Sequence, residues 1–268
     1  MQPKISILMG IYNCASTLPD AIDSILAQTY ENWELILCDD GSRDNTYAVA
    51  ETYRDQHPDR IKLIRNEKNM GLNHTLNHCL EHATGEYVAR MDGDDLSLPT
   101  RFEKELNFLL TNPQYTIVST PMVYFDENGD WQTGKCTCAA PEPAMLVHGT
   151  IHCHAPCMLR TDAMREVGGY SVDNKLLRVE DWHLWLKLYA AGYRGYNLSE
   201  PLYKMRDDQA AASRRKFRYR FNESYVSMLA VKTFHLPLWK YLYALRPILV
   251  GLLPAPVYRY LHRKKIGS

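Results

Sequence analysis

The chain has 268 residues, 46% hydrophobic and 11% aromatic, which excludes disorder and collagen-like sequence and allows a core of ordinary size. Its 31 basic and 31 acidic side chains cancel only in sum: residues 1–208 carry 19 basic and 30 acidic groups, and residues 209–268 carry 12 basic groups against one acid, Glu223. An acidic body at −11 with a basic tail at +11 points the tail toward something anionic, a membrane surface or a nucleic acid.

Two patterns alternate through the first ninety residues. Apolar runs of strand length lie at 5–9, 34–38, 61–64 and 87–91, and the stretches between them, 17–27, 45–56 and 72–82, read as helices. The last puts Leu72, Leu76, Cys79, Leu80 and Ala83 on one stripe. Strand–helix–strand repetition with short connections predicts parallel pairing through right-handed crossovers. Polar turns follow three of the strand ends: Tyr12-Asn13, Asp39-Asp40-Gly41-Ser42 and Asp92-Gly93-Asp94-Asp95. Ligands bind outside the carboxyl ends of the strands in such a sheet, so these turns are expected to line one crevice.

Beyond Pro99, residues 101–110 read as a helix, 116–125 as a strand and 126–130 as a hairpin turn. Another strand is expected at 155–159, then a short helix capped by Thr161 or Asp162, and a long helix over 180–191 that Gly192 ends. From Asp208 onward the sequence reads as helices rich in Arg, Tyr and Leu. With no repeat, low-complexity tract or flexible linker, the expected organisation is an α/β catalytic domain over 1–208 and a basic, aromatic helical extension over 209–268.

Seven cysteines spread over the chain make a poor disulfide framework, and no signal peptide opens the sequence, so a cytoplasmic setting is expected. No apolar run approaches the ~20 residues that span a bilayer. The longest, 248–257, has ten residues and contains Pro254 and Pro256, so the chain is expected to lie on a membrane and not to cross it.

Three acids in four residues at 92–95 cost stability through like charge unless a cation compensates, and hard oxygen ligands suit Mg²⁺ or Mn²⁺. Taken alone, such a segment also fits a solvated turn with Asx-type hydrogen bonds. A second acidic pair, Asp39-Asp40, at another strand end favours a nucleotide–metal site.

Further motifs then fall in order. Ile5-Ser6-Ile7-Leu8-Met9-Gly10-Ile11-Tyr12-Asn13, Ser24-Ile25-Leu26-Ala27-Gln28-Thr29-Tyr30 and Asp39-Asp40-Gly41-Ser42 resemble the opening of family 2 glycosyltransferases. Asn69-Met70-Gly71-Leu72, Gly85-Glu86-Tyr87, the Asp-x-Asp of Asp92 and Asp94, Gly168-Gly169-Tyr170 and Glu180-Asp181-Trp182 continue the resemblance, which covers roughly residues 4–206. It implies a GT-A fold (a Rossmann-like, mostly parallel central sheet), a nucleotide-sugar donor of UDP type, Mn²⁺ or Mg²⁺, and inversion at the anomeric carbon. Carried over, Gly10 and Tyr12 border the nucleobase, with Tyr12 able to stack on it, and Asn13 belongs to the donor site. Asp40 accepts from the uracil N3–H beside Asp39, and Asn69 and Gly71 belong to the same donor site. Asp92 lies near ribose and metal, Asp94 ligates the metal, Asp181 is the catalytic base, and Glu180 positions the acceptor. Many relatives have Pro or Ser where this chain has Gly10.

The chemistry has a physical logic. Negative charge develops on the diphosphate leaving group, where a metal acts as Lewis acid and Arg206 is a candidate helper. The acceptor hydroxyl needs a carboxylate to take its proton, and a helix start orients Asp181 and favours its ionised form. Asp181 also fits an ordinary helix cap. His154, Asp95 and Trp182 are further candidates for contact with acceptor or phosphate; His154 fits a satisfied core histidine equally well. Cys136, Cys138, His152, Cys153, His154 and Cys157 crowd soft ligands together, but the Cys-x-Cys spacing favours free thiols over structural zinc.

In the tail, Arg214, Arg215, Lys216, Arg218 and Arg220 interleave with Phe217, Tyr219 and Phe221, a stripe that could stack on single-stranded nucleic acid or pack on the domain. Aromatics beside the 248–257 run and the cluster Arg259, Arg263, Lys264 and Lys265 favour the anionic inner face of the cell membrane over nucleic acid. The expected activity is transfer of a sugar to a glycan or lipid-linked glycan in surface-polysaccharide synthesis. The alternatives are a nucleotidyltransferase and a catalytically silent nucleotide-sugar-binding or scaffold protein.

Overall fold

Strands β1 (Ile5–Ile11) and β2 (Trp33–Asp39) are apolar almost throughout because both faces of their sheet are covered. In the computed structural model, which describes residues 2–207 and 217–253, Ile5, Ile7, Met9, Leu35 and Leu37 face one core. Helices α1 (Leu18–Leu26) and α4 (Arg101–Thr111) close that side. Leu8, Ile36 and Cys38, on alternate positions, face a second core built with α3 (Leu72–His82), α6 (Glu180–Ala190) and a later helix, Tyr219–Thr233. The period of two along each strand thus decides which layer a residue joins.

Strands β3 (Ile61–Arg65) and β4 (Tyr87–Asp92) complete the first half, with α2 (Thr46–Gln56) between β2 and β3. The seven-stranded sheet runs β10 (Gly195–Asn197), β6 (Ile117–Ser119), β9 (Met158–Arg160), β4, β1, β2, β3, and β1 pairs in parallel with both β2 and β4. The chain therefore steps outward from β1 through β2 to β3, then returns to β1's other side at β4. The crevice opens at that reversal. Register puts Gly10 level with both Cys38 and Asp92, and Ile11 level with Asp39, so the predicted turns emerge at one height.

After Pro99 the structure departs from the sequence reading in two places. The stretch 116–125 is two strands in two sheets: β6 in the large one and β7 (Met122–Asp126) in a second sheet ordered β5 (Leu96–Ser97), β11 (Tyr203–Arg206), β7, β8 (Gly129–Thr133). Pro121 supplies no N–H to a ladder, and the strand breaks there. The expected strand at 155–159 is β9 (Met158–Arg160), antiparallel to β4 and β6; Pro156 delays its start. Helix α5 (Thr161–Glu166) follows at once, and its Thr161 hydroxyl donates to the Gly85 carbonyl at 2.7 Å instead of capping it. The second sheet comprises β5 (Leu96–Ser97), β11 (Tyr203–Arg206), β7 and the hairpin partner β8 (Gly129–Thr133), while β10 (Gly195–Asn197) edges the first.

The helix Tyr219–Thr233 buries Val226, Ala230 and Val231 in the second core, and its Ser227 hydroxyl donates to the Val147 carbonyl at 2.8 Å. A 3-10 turn, Leu238–Leu245, and the short helix Arg246–Gly251 follow. Among the described residues no helix is long and apolar enough to cross a membrane. The basic residues 214–216, the end of the apolar run at 254–257 and the cluster at 259–265 lie outside the described residues.

Candidate active site

The first wall of the crevice is two loops laced together. Asn13 has a left-handed backbone (φ 49°); its amide donates to Ser42 Oγ at 3.1 Å and its side-chain oxygen accepts from the Arg43 amide at 2.9 Å. Tyr12 stands beside it, 43% exposed, with its ring free for a planar ligand. Gly10 packs closely, since a Cβ there would meet Thr75 Cγ2 at 3.0 Å. Gly41 is tighter still: its φ is +72°, and a Cβ would sit 2.8–3.0 Å from the backbone of Lys68 and Asn69.

The Asp39-Asp40 pair turns inward. Asp39 is fully buried, accepts from the Ser42 amide and pairs with Arg65 at 2.9 Å. Asp40, 5% exposed, accepts at 2.8 Å from both Asn66 Nδ2 and the Met70 amide, and at 2.9 Å from the Gly71 amide. Its carboxylate thus ties the 66–71 segment to the end of β2. One oxygen, Oδ2, carries only the Gly71 bond and retains acceptor capacity. Asn69 itself is exposed at the tip of that segment.

At the end of β4 the carboxylate oxygens of Asp92, Asp94 and Asp95 lie within 4.8 Å of one another. Gly93 lets the turn close, because a Cβ there would strike Cys14 Sγ at 2.9 Å. Asp95 is buried and accepts from the Arg206 amide at 2.7 Å; burial, then the charges of Asp92 and Asp94, push its carboxyl well above the usual range. Arg206 also reaches back from β11 to donate through Nε to the Asp94 carbonyl at 3.1 Å. Tyr203, fully buried, accepts from the Asp92 amide at 3.2 Å. Every donor in the triad is a hard carboxylate oxygen, and an added dication would relieve the mutual repulsion felt at Asp95. The residues present therefore fit Mg²⁺ or Mn²⁺.

A buried arginine links this triad to the far wall. Arg90 bonds Asp92 Oδ1 through Nη2, and its Nε has no protein partner. Its charge reaches Asp181, Glu180 and His154. Asp181 and Glu180 open α6, half-buried. Burial raises the Asp181 carboxyl above its ordinary value, opposed by the Trp182 amide, the Thr150 hydroxyl and Arg90. Burial and then Asp181 raise Glu180. His154 bonds the Tyr170 hydroxyl at 2.7 Å, and burial followed by the charge of Arg90 holds it well below its usual value, so it is neutral near pH 7.

Other candidates lie apart from the crevice chemistry. Trp182 is turned into the core and donates to the Leu146 carbonyl at 2.7 Å, so it supports α6 and does not face an acceptor. His152 is held between Asn197 and the Tyr189 hydroxyl, and Cys157 is fully buried. Cys136 and Cys138 meet the Asn197 carbonyl and Met145 sulfur instead of a shared centre. The Gly168-Gly169-Tyr170 segment docks on α3, where Asn77 bonds both the amide and the carbonyl of Tyr170. Sequence reasoning missed Arg90, Tyr203 and Thr150. For Arg90 a signal existed: a charge inside the apolar run of β4.

Comparison with known proteins follows the same lines. A model of glycosyl transferase family 2 matches residues 6–168. EpsE of Bacillus subtilis (strain 168), named as a glycosyltransferase, is 46% identical over 264 residues, covering 98% of this chain and 95% of its own. The Escherichia coli UDP-Glc:α-D-GlcNAc-diphosphoundecaprenol β-1,3-glucosyltransferase WfaP is 29% identical over 91% of this chain and 94% of its own. Among solved structures, S. aureus TarS 1–349 in complex with UDP-GlcNAc superposes with a TM-score of 0.67 at 17% identity, covering 98% of this chain and 88% of that one. The Pyrobaculum calidifontis mannosyltransferase PcManGT in complex with GDP-Man and Mn²⁺ gives 0.65 at 19%, covering 98% and 80%. These likenesses show the GT-A fold, and the family match selects sugar transfer over nucleotidyl transfer. On its motifs, its crevice and its relatives, the chain belongs to glycosyltransferase family 2.

Proposed function

We propose that the protein is a metal-dependent, inverting glycosyltransferase that moves a sugar from a UDP-linked donor to a hydroxyl of a lipid-linked glycan at the inner face of the cell membrane, in surface-polysaccharide synthesis. The observation that carries it is a carboxylate triad within 4.8 Å, with Arg90 bonded to its Asp92 and close enough to act on the helix-start carboxylate Asp181. A donor of UDP type is supported by the TarS complex, and a diphospholipid-linked acceptor by the name of WfaP.

Asp94 and Asp92 would hold the cation, which when bound offsets the charge that develops on the diphosphate leaving group. Tyr12 stacks on the base, and the Asn13, Asp40 and Gly71 loops frame the nucleoside side of the crevice. Arg206 sits where it can donate to a phosphate oxygen once the donor enters. Asp181 takes the proton of the acceptor hydroxyl as that oxygen attacks the anomeric carbon. Attack from the side opposite the diphosphate gives inversion. Burial raises its carboxyl, which makes Asp181 a stronger base than an exposed aspartate, and Arg90 and the Trp182 amide favour its charged form. Asp95 serves through the Arg206 amide, keeping β11 against the triad.

A screen of nucleotide-sugar hydrolysis in Mn²⁺ tests the reading without knowledge of the acceptor. UDP release from a UDP-sugar, abolished by chelation, is the expected result. Absence of nucleotide release from UDP-, GDP- and dTDP-sugars alike would refute it.

A further inference from the structure

The end of the described chain carries an apolar surface on the outside of the body. Leu236, Tyr243 and Ala244 pack inward, while Leu238, Leu242, Leu249 and Leu252 are exposed by 81, 67, 62 and 67%, with Trp239 and Leu245 more than half exposed beside them. A single exposed leucine needs no explanation, but a contiguous row within fifteen residues does. The charged side chains on this segment itself, Lys240 and Arg246, are both positive, and the one acid on the helix beneath, Glu223, is paired with Arg220. The Lys240 ammonium lies 5.8 Å from the Trp239 ring centre, and Arg246 donates to the His148 carbonyl at 3.4 Å. No acid follows Glu223 in the sequence. A second copy seated on this face would set like charges against one another. An anionic bilayer accepts both parts, with leucines and tryptophan at the acyl boundary and cations at the headgroups.

The surface is also fixed to the segment that supports the base. The Tyr243 ring meets His148 edge-on at 4.3 Å, next to the Arg246 contact. Two residues before His148, the Leu146 carbonyl holds the indole of Trp182, the neighbour of Asp181. Residues 146–148 thus touch the apolar face on one side and the start of α6 on the other.

We propose that residues 238–252 form a docking face for an anionic lipid bilayer, placed so that the Asp181 wall of the crevice lies at the membrane where a lipid-linked acceptor is presented. The orientation rests on the acceptor reading above; the docking does not. The test uses the full chain and the double variant Leu242→Gln/Leu249→Gln. Both substitutions fall on exposed positions outside the catalytic machinery.

Wild type is expected to float with vesicles of phosphatidylcholine containing phosphatidylglycerol and to remain unbound with phosphatidylcholine alone. The variant should lose about tenfold in partition per leucine, roughly a hundredfold in all, with donor hydrolysis and thermal unfolding unchanged. Transfer to a lipid-linked acceptor embedded in the anionic vesicles should fall in parallel. Equal flotation of variant and wild type overturns the proposal, as does equal binding to both lipid mixtures. A wild-type dimer that the variant dissociates, without flotation, would show that a second copy covers the face. Loss of donor hydrolysis in wild type would refute the enzymatic reading and leave the flotation result to judge the docking face on its own.

Discussion

Asp40 offers the sharpest test of how the donor wall is built. Its buried carboxylate accepts from Asn66 Nδ2, the Met70 amide and the Gly71 amide at 2.8, 2.8 and 2.9 Å. Asp40→Asn keeps the side chain's shape. The amide oxygen can retain the Asn66 and Met70 bonds, but the new NH₂ group then faces the Gly71 N–H, donor against donor. A hydrogen bond to a charged group contributes about 1.5–3 kcal/mol net, and a buried N–H left without an acceptor costs about 1–3 kcal/mol. A total near 3 kcal/mol is expected, equivalent to roughly 6–10 °C in Tm for a domain of this size. Urea unfolding followed by far-ultraviolet circular dichroism measures it, with UDP affinity determined in parallel by calorimetry. Both stability and affinity should fall, because the released 66–71 segment borders the nucleoside side. A stability change under about 0.5 kcal/mol would refute the structural argument. If affinity alone fell, Asp40 would act on the base directly, as the family resemblance implies.

Three further outcomes follow from the geometry. Asp94→Ala should abolish Mn²⁺-dependent binding of UDP while leaving the unfolding transition within about 0.5 kcal/mol of wild type, and unchanged binding by calorimetry would reject the cation assignment. Asp181→Asn should keep donor binding and lose transfer; in the wild type kcat/KM should decline as pH falls through a carboxyl raised above the ordinary aspartate value, and a variant with near-normal turnover would place the base elsewhere. Glu34 is held at about 2, where burial is outweighed by hydrogen bonds from Ser6, Thr84 and Lys4. A depressed carboxyl stabilises the fold above its unfolded value of 4.5, and the contribution, about 3 kcal/mol, disappears as pH falls from 4.5 toward 2. Glu34→Gln should therefore lower stability at pH 7 and flatten the acid limb, as read by unfolding at a series of pH values.

Much of the donor half was legible because it is regular. Buried parallel strands and amphipathic helices write their periods into the sequence, and the acidic turns fall at strand ends where a crevice must form. The strands after Pro99 were harder because Pro121 and Pro156 each cut an apolar run that β-propensity alone would continue. Arg90 stayed hidden because its role depends on what surrounds a buried strand end, which no local pattern encodes. Trp182 was legible in retrospect: with Trp185, Leu186 and Tyr189 it marks the inward stripe of α6, and its adjacency to Asp181 misled. Asp39 and Asp40 read as one feature, yet one pairs with Arg65 and the other fastens a loop.

The helix Tyr219–Thr233 has a consequence for how such enzymes diversify. The family model ends at residue 168, before Asp181, yet the core around α6 is finished only by Val226, Ala230 and Val231. The recognisable half carries the acidic turns at the ends of β2 and β4, and the remainder carries and buttresses Asp181, the proposed base. Drift in the C-terminal third is therefore constrained by the N-terminal half as well, because Arg206 bonds the Asp94 carbonyl and α6 shares its core with α3. A chain cut near residue 208 would lose the support of α6 together with its tail.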